Sequence, residues 1–258
     1  QSSAALAATS AWSMSAGSYN RVYGSNARMN VAFIGTGGIA AGQHIPQLQG
    51  LGAGCACYCD VDQNRWGPAA SRWEGATGYT DYRAMYDAQH GDIDAVMVGT
   101  PDHHHYPASI IGMMLGKHMY TQKPLTHTMW EARQLMMAAE KYKVATQMGN
   151  QMHANEGNRR IVEWVRSGEL GVIKEAHIWT NRPIWPQGIP EWPEAQEAPK
   201  HVNWDLWLGP APYVDYSDKI SPFNWRGYWN FGTGALGDMA CHIMDMSYWA
   251  ADLGSPTS

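Results

Sequence analysis

The chain has 258 residues, with 18 basic and 23 acidic side chains and a formal net charge of −5. Its mild negative charge argues against an electrostatic grip on nucleic acid or an anionic membrane, and no apolar run approaches the length of a membrane span. A chain of this size buries a sizeable core and suits two domains.

Ser2 to Ala16 is rich in Ala and Ser. It reads either as the tail of an export signal lacking its positive region or as a plain leader. It sets residues 1–30 apart as leader and arm, with a periplasmic or otherwise exported location expected and a cytoplasmic one as the alternative. A short apolar run from Val31 then ends in Gly35-Thr36-Gly37, with Gly38, Ile39 and Ala40 following. This is the G-x-G-x-x-G/A turn between a first strand and a first helix. Gly35 permits the tight turn, Gly37 admits a pyrophosphate to the backbone, and Ala40 lets the helix pack on the strand. The helix N-terminus offers N–H groups and a positive dipole end to phosphate. The next strand-like run, Ala53 to Cys59, ends at Asp60, 20 residues past Ala40. A carboxylate there accepts from an adenosine ribose and disfavours a 2′-phosphate, which points to NAD, with NADP possible through Arg65.

Cys55, Cys57 and Cys59 alternate along this strand and lack a Cys-x-x-Cys pairing, so they read as small buried residues and not as a metal or disulfide site. Helices are expected from Gly38 to Leu48, from an Asp62 cap to about Trp73, from an Asp81 cap over Tyr82 to Ala88, and from His105 or Tyr106 to Leu115. A Thr128/Glu131 capping box heads another that runs to about Lys141. Strands are expected at Gly78 to Thr80, Asp94 to Val98, His118 to Thr121 and Val144 to Met148. This alternation predicts a doubly wound parallel sheet over 31–150 whose ligands gather at the carboxyl ends of the strands. The loops there carry Thr100, Pro101 and His103, then Gln122-Lys123-Pro124, then Gly149-Asn150-Gln151. The run His103 to His105 does not suggest a metal site, because adjacent side chains diverge. One of these histidines is expected to cap a helix and another to touch the cofactor.

Residues 151–258 form a second domain. An amphipathic helix spans Asn155 to Ser167, a strand Val172 to Thr180, a long proline- and tryptophan-rich loop Arg182 to His201, a helical turn Asn203 to Leu208, and a helix Leu236 to Ala251. Eight of the 13 tryptophans lie between Trp179 and Trp249, and most are expected in the core. In the last helix Asp238 and His242 are four apart and share a face, with Asp245 a further turn along. A carboxylate beside a histidine holds one tautomer and raises its basicity, which suits a general base.

The GTGGIA turn, the TPDHHH loop, Gln122-Lys123-Pro124 and the GDMACHIMD segment together resemble the glucose–fructose oxidoreductase, inositol dehydrogenase and rhizopine-catabolism (Gfo/Idh/MocA) family. The resemblance runs from about Met29 to the C-terminus. It implies an α/β fold with an N-terminal Rossmann domain and an α+β substrate domain with a large, mostly antiparallel sheet. It further implies a tightly held NAD(P), sugar or polyol substrates, and homo-oligomers. The family's catalytic lysine falls on Lys123 and its Asp and His pair on Asp238 and His242. Two departures stand out. Gln122 occupies the place of a usual Glu, and most strands expected of the second sheet are missing before Ser258, as in a fragment.

The expected activity is hydride transfer between a nicotinamide cofactor and a sugar, polyol or glycoside hydroxyl. His242 takes the hydroxyl proton, Asp238 orients His242, and Lys123 stabilises the alkoxide. Cofactor contacts are expected from Gly35, Thr36, Gly37, Gly38, Ile39, Ala40, Asp60, Thr100, Pro101, His103, Lys123 and Asn150. Gln151, His153, Arg182, Arg226 and Trp229 are candidates for holding the substrate. The alternatives are an NAD-retaining glycosidase that oxidises its substrate transiently and a non-catalytic sugar-binding protein.

Overall fold

A computed structural model describes residues 28–254, so the expected leader and most of the arm lie outside the described residues. Six short strands make one parallel sheet: β1 Val31–Ile34, β2 Cys57–Cys59, β3 Thr77–Tyr79, β4 Ala95–Val98, β5 His118–Gln122 and β6 Thr146–Gly149. Their order is β3-β2-β1-β4-β5-β6. The winding reverses between β1 and β4, which pair from Val31 with Ala95 to Ile34 with Val98. That switch point is where such sheets open a crevice. β1 and β4 are almost wholly apolar because both faces are covered. Ala32, Ile34, Val96 and Val98 pack on one side with Met85, Tyr86 and Met113, and Val31, Phe33 and Met97 pack on the other with Ile45 and Tyr58. Each fully buried aliphatic or aromatic side chain contributes about 1.5–3 kcal/mol.

The helices of this half are α1 Ile45–Gly50, α2 Gly67–Ala70, α3 Tyr82–Gln89, α4 His105–Met114 and α5 Met129–Tyr142. A wider π-turn over Ala40–His44 precedes α1. Asp81 caps α3 by accepting from the Arg83 N–H, and both halves of the Thr128/Glu131 capping box close on α5. The helix expected from Asp62 to Trp73 forms as two pieces, a 3-10 turn Gln63–Arg65 capped by Asp62 and then α2. Pro68 stands in the first turn of α2, where its missing N–H costs nothing.

The second half contains α6 Glu156–Arg166, α7 Trp204–Leu208, α8 Gly234–Ile243 and α9 Asp245–Ala250. Trp204, Trp207, Leu208, Ile220, Trp225, Tyr228 and Phe231 form its core, and with Trp185 four of the eight tryptophans are buried, fewer than the majority expected. Trp179 and Trp229, by contrast, are 80% and 82% exposed. Val172 to Thr180, expected as a strand, stays unpaired, and among the described residues 151–254 form no strand. An extended segment becomes a strand only when a neighbour accepts its backbone hydrogen bonds. The single helix expected over Leu236 to Ala251 is interrupted at Met244. Asp245 therefore opens α9 instead of extending the Asp238 face, and its carboxylate accepts from His153 Nδ1 at 2.9 Å.

Candidate functional site

The turn after β1 is built against the turn after β4. Gly35 has φ +86°, and a Cβ there would meet the backbone of Gly99 at 2.7 Å and Thr100 N at 2.9 Å. Only glycine satisfies both the positive φ and the close approach. A Cβ on Gly37 would run into the Arg65 guanidinium. Asp60, at the end of β2, fixes the same turn: its carboxylate accepts from Thr36 N–H at 2.9 Å and from Asp62 N–H at 3.0 Å. Burial raises its pKa. Arg65 donates to Asp62 at 3.1 Å.

The His103–His105 run stitches the walls together. His105 lies between the Pro124 carbonyl at 2.7 Å and the Thr100 carbonyl at 2.9 Å, tying the β4 loop to the Lys123 loop. His103 faces the carbonyls of Phe231 and Trp207, and His104 also faces Trp207. These contacts lock the second half onto the sheet. Among the described residues no group of side chains has the arrangement of a metal site.

A cleft of about 990 Å³ opens between the strand ends and the second half. On its floor Lys123 Nζ donates to Asp238 Oδ1 at 2.6 Å and to the Asp238 carbonyl at 3.0 Å. These side chains come from β5's exit and from α8, 115 positions apart. Arg226 Nε approaches the same Asp238 oxygen at 3.4 Å, with its guanidinium over the Trp225 ring at 4.2 Å. His242, one turn past Asp238, lines the cleft. Its pKa is lowered, first by burial and then by the Lys123 charge. The ring is therefore neutral at pH 7 and able to accept a proton.

The cleft fits a dinucleotide. Its β1 end has the glycine cradle, and the helical turn that follows begins at Ile39 without a side-chain cap. The Thr100 hydroxyl in its wall is buried with no hydrogen-bond partner among the described residues.

Residues 29–150 match the NAD-binding Rossmann fold of the Gfo/Idh/MocA oxidoreductases, and residues 178–255 match that family's C-terminal alpha/beta domain. The chain belongs to the Gfo/Idh/MocA oxidoreductase family. It is 24% identical over 180 residues to a levoglucosan dehydrogenase of Pseudarthrobacter phenanthrenivorans, covering 69% of this chain and 38% of that protein. It is 27% identical over 152 residues to a glycosyl hydrolase family 109 protein of Shewanella pealeana, covering 56% of this chain and 33% of that one. The chain thus spans less than half the length of these curated relatives. The WlbA dehydrogenase of Chromobacterium violaceum, solved with NADH and UDP-GlcNAcA, superposes with a TM-score of 0.64 at 24% identity, over 86% of this chain and 55% of that one.

Within this Gfo/Idh/MocA fold, Gly35, Gly37, Gly38, Ile39, Asp60, Thr100, Pro101, Lys123, Gln151, Arg182, Arg226, Asp238 and His242 all line one cleft. Thr36 and Ala40 lie behind it: Thr36 is bound to Asp60, and Ala40 is fully buried under the turn. Four further expected residues are not in the cleft wall. His103 is buried against the two carbonyls. Asn150 is half-buried, with Oδ1 unpartnered. His153 pairs with Asp245 and stacks on Trp249 at 4.6 Å. Trp229 projects outward. The contact expected between Asp238 and His242 does not form, because the Asp238 carboxylate is held by Lys123 and Arg226.

Sequence reasoning missed several wall residues. Asp81 follows β3, so the strand-end rule that selected Thr100 and Lys123 also selects it. Asp102 is buried and accepts from Thr233 N–H at 3.1 Å and Thr233 Oγ1 at 2.9 Å. It stands in the TPDHHH loop, and its burial gave no local signal. Behind the wall, His44 contacts the wall residue Gln122 across 78 positions at 2.6 Å, which no spacing could reveal.

Proposed function

We propose that the protein is an NAD-dependent oxidoreductase acting on a hydroxyl of a sugar, polyol or glycoside. The Lys123–Asp238 pair carries the reading. It stands on the floor of the cleft that opens onto the dinucleotide cradle, with neutral His242 beside it. When bound, the nicotinamide cofactor accepts or returns a hydride at carbon. The His242 imidazole takes the hydroxyl proton. The Lys123 ammonium donates to the oxygen as negative charge grows on it. Asp238 holds Lys123 in place and limits its freedom, while Gln151 and Arg226 contact the rest of the substrate. A carboxylate, Asp60, stands at the end of β2, and Asp62 engages Arg65, the cation that a 2′-phosphate would need, which supports NAD over NADP.

The test is to denature purified protein, identify the released dinucleotide, and assay sugars and polyols for dinucleotide reduction. Dinucleotide in the denatured supernatant and reduction by a sugar support the reading. A protein free of dinucleotide that fails to bind added NAD ends it. The glycosyl hydrolase family 109 relatives favour a second reading, in which the same oxidation is transient and ends in loss of the aglycone. Cleavage of an aryl glycoside without net reduction of free NAD distinguishes it. Export and homo-oligomer formation remain part of the proposal, tested by cell fractionation and by sedimentation.

A further inference from the structure

On the reading that this cleft oxidises a carbohydrate hydroxyl, the charges on its walls carry the substrate class further. Five cationic side chains line it: Arg65, Arg83, Lys123, Arg182 and Arg226. Arg65 pairs with Asp62 at 3.1 Å and Arg83 with Asp81 at 2.9 Å. Lys123 and Arg226 share Asp238 at 2.6 and 3.4 Å. Arg182 differs. Among the described residues its guanidinium has no carboxylate and no hydrogen-bond acceptor, and only its backbone N–H is engaged, by Thr180 Oγ1 at 3.2 Å.

Arg182 lines the cleft three residues before the buried Trp185, whose ring the Arg226 guanidinium faces at 5.8 Å, and Arg226 shares Asp238 with Lys123. The remaining carboxylates of the cleft do not offset the Arg182 charge. Asp60, Asp62, Asp81 and Asp205 stand at the other end with Arg65 and Arg83. Asp102 is 4% exposed and turned to Thr233. Gln122, beside Lys123, is neutral, and its amide contacts His44 at 2.6 Å and Gln151 at 3.2 Å. With Lys123 and Arg226 sharing Asp238 and Arg182 unpaired, the end of the cleft where the chemistry is expected has two positive charges more than it balances. A planar guanidinium with free donors matches a carboxylate, which it can bind with two parallel hydrogen bonds.

We propose that the substrate is an anionic sugar, a uronic or aldonic acid or a glycoside of one, whose carboxylate is held by Arg182.

The test uses the dinucleotide-loaded protein and three matched pairs of probes: glucuronate with glucose, galacturonate with galactose, and gluconate with sorbitol. Binding is measured by titration calorimetry and turnover by dinucleotide absorbance. At least one acid should bind about tenfold tighter than its neutral partner, a preference that shrinks as salt rises. Arg182→Gln should lower that acid-to-neutral ratio about tenfold, and Arg182→Lys should restore part of it. The proposal is overturned if no acid is preferred, if no probe binds, or if the ratio survives Arg182→Gln. Hydride transfer is read separately. Acid bound through Arg182 with no dinucleotide reduced sinks the dehydrogenase reading and leaves the anion site standing. Oxidation of neutral sugars with no preference for acids does the reverse.

Discussion

Gly35→Ala tests whether the cradle at the head of the sheet has the tolerance the structure assigns it. The substitution forces an L residue to φ +86° and sets a methyl 2.7 Å from the Gly99 backbone and 2.9 Å from Thr100 N. The conformational strain costs roughly 1–2 kcal/mol. Displacing Gly99 adds about 1–3 kcal/mol, because neither partner is a side chain that can swing away. The sum, about 2–5 kcal/mol, lowers the melting midpoint by roughly 5–15 °C for a chain of this size. Gly52→Ala separates the two contributions, since Gly52 also has a positive φ, +79°, but nothing within 4 Å of its Cβ. It should cost only the strain. Calorimetric scans of both variants, with dinucleotide content measured after denaturation, make the comparison. If Gly35→Ala melts no lower than Gly52→Ala and keeps its dinucleotide, the close approach of the two turns is not what the fold requires.

Two further outcomes follow from the same geometry. Burial lowers the pKa of His44, His104 and His105 to about 4 and pushes His103 well below its ordinary value. The unfolded chain takes up these protons at about pH 6.5 and the folded one resists them, so stability is present above that pH and is lost as pH falls from 6.5 toward 4. Asp102, pushed up to about 6, acts in the opposite sense as pH falls below 6, and Asp60 is raised likewise, but the histidines outnumber them. The melting midpoint should therefore drop between pH 7 and pH 5, and a flat or rising midpoint would contradict the burial of the histidine run. Thr128→Ala removes one half of the α5 capping box. It should cost about 1 kcal/mol and about 2–4 °C, and a loss far beyond that would mean Thr128 has a further role.

The sheet was legible because its signals are local. Buried parallel strands are apolar runs, and Asp81, Thr128 and Asn155 announce their helices through caps whose hydrogen bonds span two or three residues. The cleft was legible as far as the strand-end rule reaches, which brought out Thr100, Pro101, Lys123 and Gln151. What escaped depends on partners distant in sequence. His103, expected to touch the cofactor, is instead fixed by carbonyls 104 and 128 positions away. Asp238 and His242 have the right spacing for one another, yet Lys123 takes the carboxylate because an ammonium offers a stronger, charge-assisted hydrogen bond than a neutral ring. Val172 to Thr180 has a strand's composition and no ladder to join.

On the proposed function, Lys123, held by Asp238, stabilises the oxygen during hydride transfer from a carbohydrate hydroxyl and is not needed to retain the dinucleotide. Single-turnover absorbance on Lys123→Met protein, with its bound dinucleotide quantified in the same sample, tests it most directly. The expected result is normal dinucleotide content with reduction slowed by at least about a hundredfold, the scale of losing one charged stabilising donor. Reduction at the unaltered rate would remove Lys123 from the chemistry.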